Sequence, residues 1–266
     1  MANLNPITAW RMLLAQPNES RTKTLFMAFL VSTVCALLVS GATVILKPIQ
    51  TANRAAEQQA RLEALISGIP GMSELLSQDG GTLSTVVVDL NRAAVANEVT
   101  PETLSAALDD IANWTGLTAN QDLAGLGQRP DFAQVYFLRG ADGELSLALL
   151  PVSGVGYNGP IDAIVALRAD MNTIAGLAIT GQSETPGLGA RIEETAWLGQ
   201  FSGKSVADAS GAVRFAVAKG VAGNEFEVDG ITGATRTSNA ITRIMRFWLG
   251  DDGYGPLLAA IKRGEF

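Results

Sequence analysis

Between Thr24 and Leu46 the chain reads TLFMAFLVSTVCALLVSGATVIL, 23 residues with no charged side chain. As a helix such a run extends about 34 Å at about 1.5 Å per residue, enough to cross a hydrocarbon core of about 30 Å. In lipid the backbone must satisfy its own polar groups, so an isolated segment of this kind has to be helical. Arg11, Arg21 and Lys23 precede it, and Lys47, Arg54 and Arg61 follow. Two of the cations lie close to its leading edge, which favours an amino terminus on the cytoplasmic side. The competing reading is a cleaved leader, with Ser40-Gly41-Ala42 as a small-residue processing site. Against it, the apolar run is longer than the roughly 7–15 residues of a signal core, and the segment before it is long as well. Cys35 falls inside the span, where it reads as a small packing residue.

If the segment spans with the amino terminus inside, the residues beyond it form an extracytoplasmic body. The 266 residues suffice for one or two domains, and a hydrophobic content of 47% supplies a sizeable core. The formal charge is −7, with no basic stripe interleaved with aromatics, so nucleic acid is not an expected partner. Histidine is absent and Cys35 is the only cysteine. That removes the usual zinc, haem-attachment, iron–sulfur and Cys–His constellations, and a Ser–His–Asp triad with them. Any chemistry must come from carboxylates, hydroxyls, lysines, backbone groups or a borrowed cofactor.

Residues 50–67 mix alanine, leucine and charges without Gly or Pro and read as a helix, ended by Ile69-Pro70-Gly71. A strand is expected at 84–90. A helix is expected from Thr100 and Pro101 to about Trp114, with proline at its first position. The stretch 123–132 reads as a Gly/Pro-bearing loop, followed by two strands about an Asp142-Gly143 turn. Further strands are expected at 161–169, 173–180, 213–219 and 225–228, and helices at 191–201, 238–249 and 256–263. The order implies an α+β protein: one N-terminal transmembrane helix, then a mixed, largely antiparallel sheet domain with packed helices.

GVGYNG at 154–159 fits the spacing G-x-G-x-x-G after an apolar strand. A dinucleotide fingerprint requires a helix to open at the third glycine. Here Pro160 leads into IDAIVALRAD, a β-branched apolar run that reads as a strand. The expectation is therefore a hairpin, whose glycines permit close approach of backbone to a ligand.

DGITGATRTS at 229–238 concentrates four hydroxyls and two glycines before the last long helix. Taken locally, Asp229-Gly230 is a turn and Thr237 or Ser238 caps a helix whose Ile241, Ile244, Met245 and Trp248 share one face. That reading leaves Thr232, Gly233, Ala234 and Thr235 unexplained. A small-residue turn holding a threonine clear of the body would leave it open to modification, and an adjacent helix amino terminus suits a phosphate.

DGITGAT resembles the flavinylation motif of the FMN-binding domain family, in which an acidic residue precedes a Ser/Thr-Gly-Ala-Thr turn. The resemblance implies that Thr235 carries FMN through a phosphoester, with Asp229, Thr232, Gly233 and Ala234 as the recognition turn. SETPGLGARI at 183–192 is similar to a second loop of that family that lies against the flavin, implying Glu184, Thr185, Gly187 and Leu188 in the flavin environment. The position after the expected anchor is Arg236, a departure from the pattern that sets a cation beside the expected phosphate. No catalytic residue and no metal site is implied.

LKPIQ after the span, the insertion ahead of the glycine loop and the ending WLGDDGYGPLLAAIKRGEF resemble the NqrC family, a component of sodium-translocating NADH:quinone reductases. The corresponding flavoprotein family of the Rnf ferredoxin:NAD oxidoreductases shares both flavin motifs and stands as the alternative, as does a cofactor-free tethered binding module. The resemblance implies an electron-carrying subunit, incomplete as an enzyme alone, in the bacterial inner membrane with its body in the periplasm. The implied partners are other subunits of a membrane redox complex, a flavin transferase during maturation, and lipid. The implied division is a cytoplasmic segment at 1–23, the span at 24–46, a membrane-proximal region at 47–130 and the FMN-binding domain at 131–266.

Overall fold

The computed structural model describes residues 10–11, 15, 17, 20–41 and 82–265. The chain divides into two units, Met1–Leu62 and Glu63–Phe266. The helix expected at 50–67 lies outside the described residues.

In the first unit, among the described residues, one helix, α1 (Arg21–Gly41), is long and apolar enough to cross a membrane. Leu25, Phe29, Val31, Leu37, Leu38 and Val39 stand exposed along it. It starts three residues before the uncharged run, with the Thr24 N–H already bonded to the Ser20 carbonyl at 3.0 Å. Arg21 and Lys23 bound the stretch that fits lipid without ending the helix, because both are good helix formers. Residues 42–46 of the expected span lie outside the described part.

The described part of the second unit begins with strand β1 (Thr82–Asp89), a two-residue strand β2 (Ala94–Val95) and a short helix α2 (Leu104–Leu108). Strands β3 (Trp114–Gly116) and β4 (Gln128–Pro130) follow, then β5 (Phe132–Arg139), β6 (Leu145–Val155), β7 (Pro160–Arg168) and β8 (Ile174–Gln182). The rest comprises α3 (Thr195–Leu198), β9 (Ala216–Val217), β10 (Glu227–Val228), α4 (Thr235–Trp248) and α5 (Gly255–Lys262). Six strands form the main sheet in the order β2-β1-β5-β6-β7-β8. Every neighbouring pair in it is antiparallel. The parallel pairing is confined to β9 and β10, outside this sheet.

Side chains alternate between the two faces of the sheet, as the pleat requires. Ala148, Leu150 and Val152 of β6, with Ile161, Ala163, Val165 and Leu167 of β7, join the core shared with α4 and α5. Leu147, Leu149, Ile164 and Ala166 face the other way into a second buried cluster with Leu138. Both faces of the central strands are thus buried, which explains their near-continuous apolar runs. The expected face of α4 is buried: Ile241, Ile244, Met245 and Trp248 all lie in the core. Two buried aromatics fasten this corner to β6. Trp248 Nε1 donates to the Ser153 carbonyl at 2.7 Å, and the Tyr254 hydroxyl donates to the Pro151 carbonyl at 2.8 Å.

Several elements differ from their sequence expectation. The helix expected to reach Trp114 is only α2, followed by a 3-10 turn at Ile111–Asn113, with Trp114 itself in β3. Asp110 makes the break: its carboxylate accepts from the Ala112 N–H at 3.0 Å. The Trp114 indole N–H then donates to the Leu108 carbonyl, and the Asn113 amide to that of Ala107. The loop expected at 123–132 contains β4 and the first residue of β5. Buried Arg129 of β4 donates to Asn91 Oδ1 at 2.7 Å. The helix expected at 191–201 is α3 flanked by 3-10 turns at Gly189–Glu193 and Gly199–Phe201. Strands expected at 213–219 and 225–228 shrink to the two-residue β9 and β10. The expected division at 130/131 falls within the sheet, because β1 pairs with β5 along its whole length, from Thr82↔Arg139 to Asp89↔Phe132.

GVGYNG is the turn of a hairpin. β6 and β7 run antiparallel up to the pair Val155↔Pro160, and no helix opens at Gly159.

Candidate functional site

Three segments far apart in sequence meet at the amino terminus of α4: the β6–β7 turn, the loop after β8, and the turn 229–234. A buried carboxylate joins them. Glu184 is 5% exposed. Its Oε1 accepts from the backbone N–H groups of Tyr157 at 2.6 Å and Asn158 at 3.1 Å. Its Oε2 accepts from the Thr237 hydroxyl at 2.6 Å. Two glycines make room for these oxygens. A Cβ on Gly156 would collide with Glu184 Oε1, and one on Gly189 would lie 2.5 Å from Oε2 and 2.6 Å from Thr237 Oγ1. The glycines of the β6–β7 turn therefore admit the chain's own atoms. Gly154 does so too, since its Cβ would stand 2.5 Å from Ile244 Cγ1 of α4.

The turn before α4 is pinned from both sides. Asp229 Oδ1 accepts from the Ala222 N–H at 2.7 Å, the Asp229 N–H donates to Gln200 Oε1, and the Asp229 carbonyl accepts from Trp197 Nε1. The Gly230 N–H bonds the Gly220 carbonyl at 2.8 Å, and a Cβ at Gly230 would collide with the Ala218 carbonyl. The Ala234 N–H returns to the Ile231 carbonyl at 3.0 Å, closing a tight turn with Gly233 at φ +82°. Backbone in that region favours glycine, which has no Cβ to clash. Leu188 packs here, its Cδ2 3.2 Å from where a Gly233 Cβ would sit.

The helix begins at Thr235, with Ala234 as N-cap and no side-chain cap. The expected capping role of Thr237 or Ser238 is corrected by this geometry. Both are buried, at 2% and 3% exposure, and both hydroxyls are engaged: Thr237 with Glu184, and Ser238 as acceptor from the Ile231 N–H at 3.2 Å. Thr235 and Thr232, in contrast, are exposed. An uncapped helix of 14 residues leaves its first N–H groups without intrahelical partners and carries a partial positive charge there. The Arg236 guanidinium carbon lies 4.9 Å from the centroid of the Tyr157 ring.

The nine residues expected from sequence lie on two segments, the turn before α4 and the loop after β8, which meet where Leu188 packs against Gly233 and Glu184 bonds Thr237. Thr235 and Thr232 present free surface. Gly233, Ala234 and Asp229 shape the turn. Thr185, Gly187 and Leu188 are exposed on the neighbouring loop, where the Leu188 and Ala190 N–H groups both bond the Thr185 carbonyl at 3.1 Å. Glu184, expected in the flavin environment, spends both oxygens on protein donors. Sequence reasoning missed Tyr157, Gln200 and Trp197, and gave Thr237 a capping role in place of its bond to Glu184. For Tyr157 the signal was present in its glycine-flanked position; for Gln200 and Trp197 nothing local marks them. Among the described residues no cluster of His, Cys, Asp or Glu is arranged to hold a metal ion.

The donor set fits FMN. Helix N–H groups, a threonine hydroxyl and a guanidinium suit its phosphoryl group, and the half-exposed side chains of Tyr157 and Leu188 suit an aromatic ring system. The model of the FMN-binding domain family matches residues 156–250, from Gly156 of the β6–β7 turn through all of α4. The match defines a protein that carries an FMN-binding domain, with one candidate membrane span among the described residues. The chain is 34% identical over 258 residues to the C component of the Na(+)-translocating NADH-quinone reductase of Pseudomonas aeruginosa, covering 93% of this chain and 98% of that one. It belongs to the family of these C components, NqrC. The Vibrio anguillarum member is 35% identical over 254 residues, covering 94% and 99% respectively. The crystal structure of Shewanella oneidensis NqrC superposes with a TM-score of 0.62 at 25% identity, covering 72% of this chain and 88% of that one. The counterpart from Parabacteroides distasonis shares the fold, with a TM-score of 0.51 at 23% identity, over 82% and 96% of the two chains. The family membership decides against the Rnf alternative.

Proposed function

We propose that this chain is the electron-transferring flavoprotein subunit of a sodium-pumping NADH:quinone oxidoreductase, with FMN held through a phosphoester on Thr235. The observation that carries the assignment is the contrast among neighbouring hydroxyls. Thr235 is exposed at an uncapped helix terminus, whereas Thr237 and Ser238 are buried and bonded. Only an exposed hydroxyl can enter another enzyme's active site. Thr232 is exposed too, but it precedes the helix and lacks the flanking N–H groups.

Attachment by a flavin transferase would join the Thr235 oxygen to the FMN phosphoryl group of FAD, with AMP released carrying the bridging oxygen and the hydroxyl proton passing to a base of the transferase. The uncapped N–H groups of α4 would offset the charge of the attached phosphoryl group. Glu184 holds the β6–β7 turn and the α4 terminus in register, and Asp229 fixes the approach to the turn. Once bound, FMN supplies one- or two-electron transfer, which this histidine-free chain has no side chains to provide.

We place α1 in the inner membrane with the amino terminus cytoplasmic and the sheet body in the periplasm. Its polar side chains are Ser, Thr and Cys apart from the terminal Arg21 and Lys23, so ion translocation and NADH oxidation belong to partner subunits. The test is direct. Denatured polypeptide made alongside a flavin transferase should fluoresce as flavin on a gel and gain the mass of FMN less water. Thr235→Val should lose both signals and Thr237→Val should keep them. Flavin retained by the Thr235 variant would reject the assignment.

A further inference from the structure

Arg236 sits where helix electrostatics disfavour it. A cation in the first turn faces the positive end of the macrodipole, whereas anions belong there. The first turn of α4 carries no acidic residue and no side-chain cap to offset the charge. None of the ion pairs among the described residues involves Arg236, although Arg92, Arg191, Arg214 and Arg263 each have a carboxylate partner. What holds its guanidinium is the face of the Tyr157 ring, 4.9 Å away. The ring itself is fixed at its backbone by the Glu184 carboxylate. A conflict between a residue and its local electrostatics marks a place where something other than folding has set the choice.

Resting on the reading of Thr235 as the flavin anchor, we propose that Arg236 is the phosphate-pairing residue of this site and that Tyr157 is the strut keeping its guanidinium beside the helix terminus. The phosphodiester on Thr235 carries one negative charge, and a guanidinium offers it planar, two-point donation. The charge missing from the first turn is then supplied by the attached group: the cation that weakens the empty terminus strengthens the filled one. Neighbouring side chains on a helix diverge, so Thr235 and Arg236 do not face each other directly. The length of the arginine and the position of the Tyr157 ring bridge that divergence.

The test uses the full chain in a phosphorus-free detergent, produced with and without flavin transferase, as wild type, Arg236→Gln, Arg236→Lys and Tyr157→Leu. The readouts are the ³¹P resonance of the loaded chain and the melting temperature of loaded and unloaded forms. Pairing predicts that Arg236→Gln displaces the ³¹P resonance, that Arg236→Lys displaces it less, and that Tyr157→Leu displaces it in the same direction as Gln. Unloaded Arg236→Gln should melt no lower than wild type, yet gain less on loading. An unchanged ³¹P resonance in Arg236→Gln overturns the proposal. So does an unloaded variant that melts lower but gains as much as wild type on loading, because Arg236 would then serve packing alone. In either event, flavin present on these variants and absent from Thr235→Val leaves the anchor assignment standing. Flavin on Thr235→Val would instead remove the anchor itself.

Discussion

Glu184 accepts three hydrogen bonds at a position almost closed to solvent, and its removal would strand the N–H groups of Tyr157 and Asn158 and the hydroxyl of Thr237. An unsatisfied buried donor costs about 1–3 kcal/mol, so Glu184→Ala should destabilise the body by about 2–4 kcal/mol in urea titration. Glu184→Gln should cost less, because the amide oxygen still accepts from both N–H groups and its NH₂ can donate to Thr237. Gly189→Ala tests the same point from the opposite side. Its φ is ordinary, but its Cβ would press on Glu184 and Thr237. It should lower the melting temperature and reduce flavin attachment together. At this scale the glycine turn ahead of the helix was legible in the sequence, and the partners of Glu184 were not. A Glu-Thr-Pro-Gly loop signals a turn, but nothing in it announces that the carboxylate points inward to a threonine 53 positions away.

The seating of α4 on β6 depends on Gly154, whose Cβ would stand 2.5 Å from Ile244 Cγ1 and 2.9 Å from the Ala124 carbonyl. Gly154→Ala should therefore be strongly destabilising. Combining it with Ile244→Ala should recover part of the loss, a coupling that a double-mutant cycle reads directly. Recovery stays partial because the Ala124 carbonyl remains in place. The β7–β8 turn supplies a pH test. Burial pushes the Asp170 carboxyl up, but the Thr173 hydroxyl together with the Thr173 and Asn172 N–H groups outweighs it, leaving Asp170 below the usual carboxylate range. A depressed pKa contributes stability above the unfolded-state value, and that stability is lost as pH falls through the folded one. Asp170→Asn should thus be less stable than wild type at neutral pH, with the gap closing below about pH 4 in urea titrations. The elements themselves were legible where periodicity ran long: α4 and β5 to β8 stand within a few residues of expectation. The miscalled ones are short. The break after α2, for example, is made by Asp110 and by an indole reaching back to Leu108.

At the scale of the whole molecule, a helix able to span a membrane and a flavin-domain body share one chain. A periplasm-active reporter such as alkaline phosphatase fused after Phe266 should be active, and one at the amino terminus inactive; the reverse would invert the proposed topology. By itself the sequence determined what depends on neighbours along the chain: the uncharged run that must be helical in lipid, the amphipathic face of α4, the glycine turn ahead of Thr235, and the absence of histidine chemistry. These follow from composition and spacing within one element. Only the tertiary structure decided which of three clustered hydroxyls stays free. Thr237 is withdrawn from solvent by a carboxylate 53 positions away, which no local pattern encodes, while Ser238 accepts from the Ile231 N–H of the preceding turn as the helix packs onto the core.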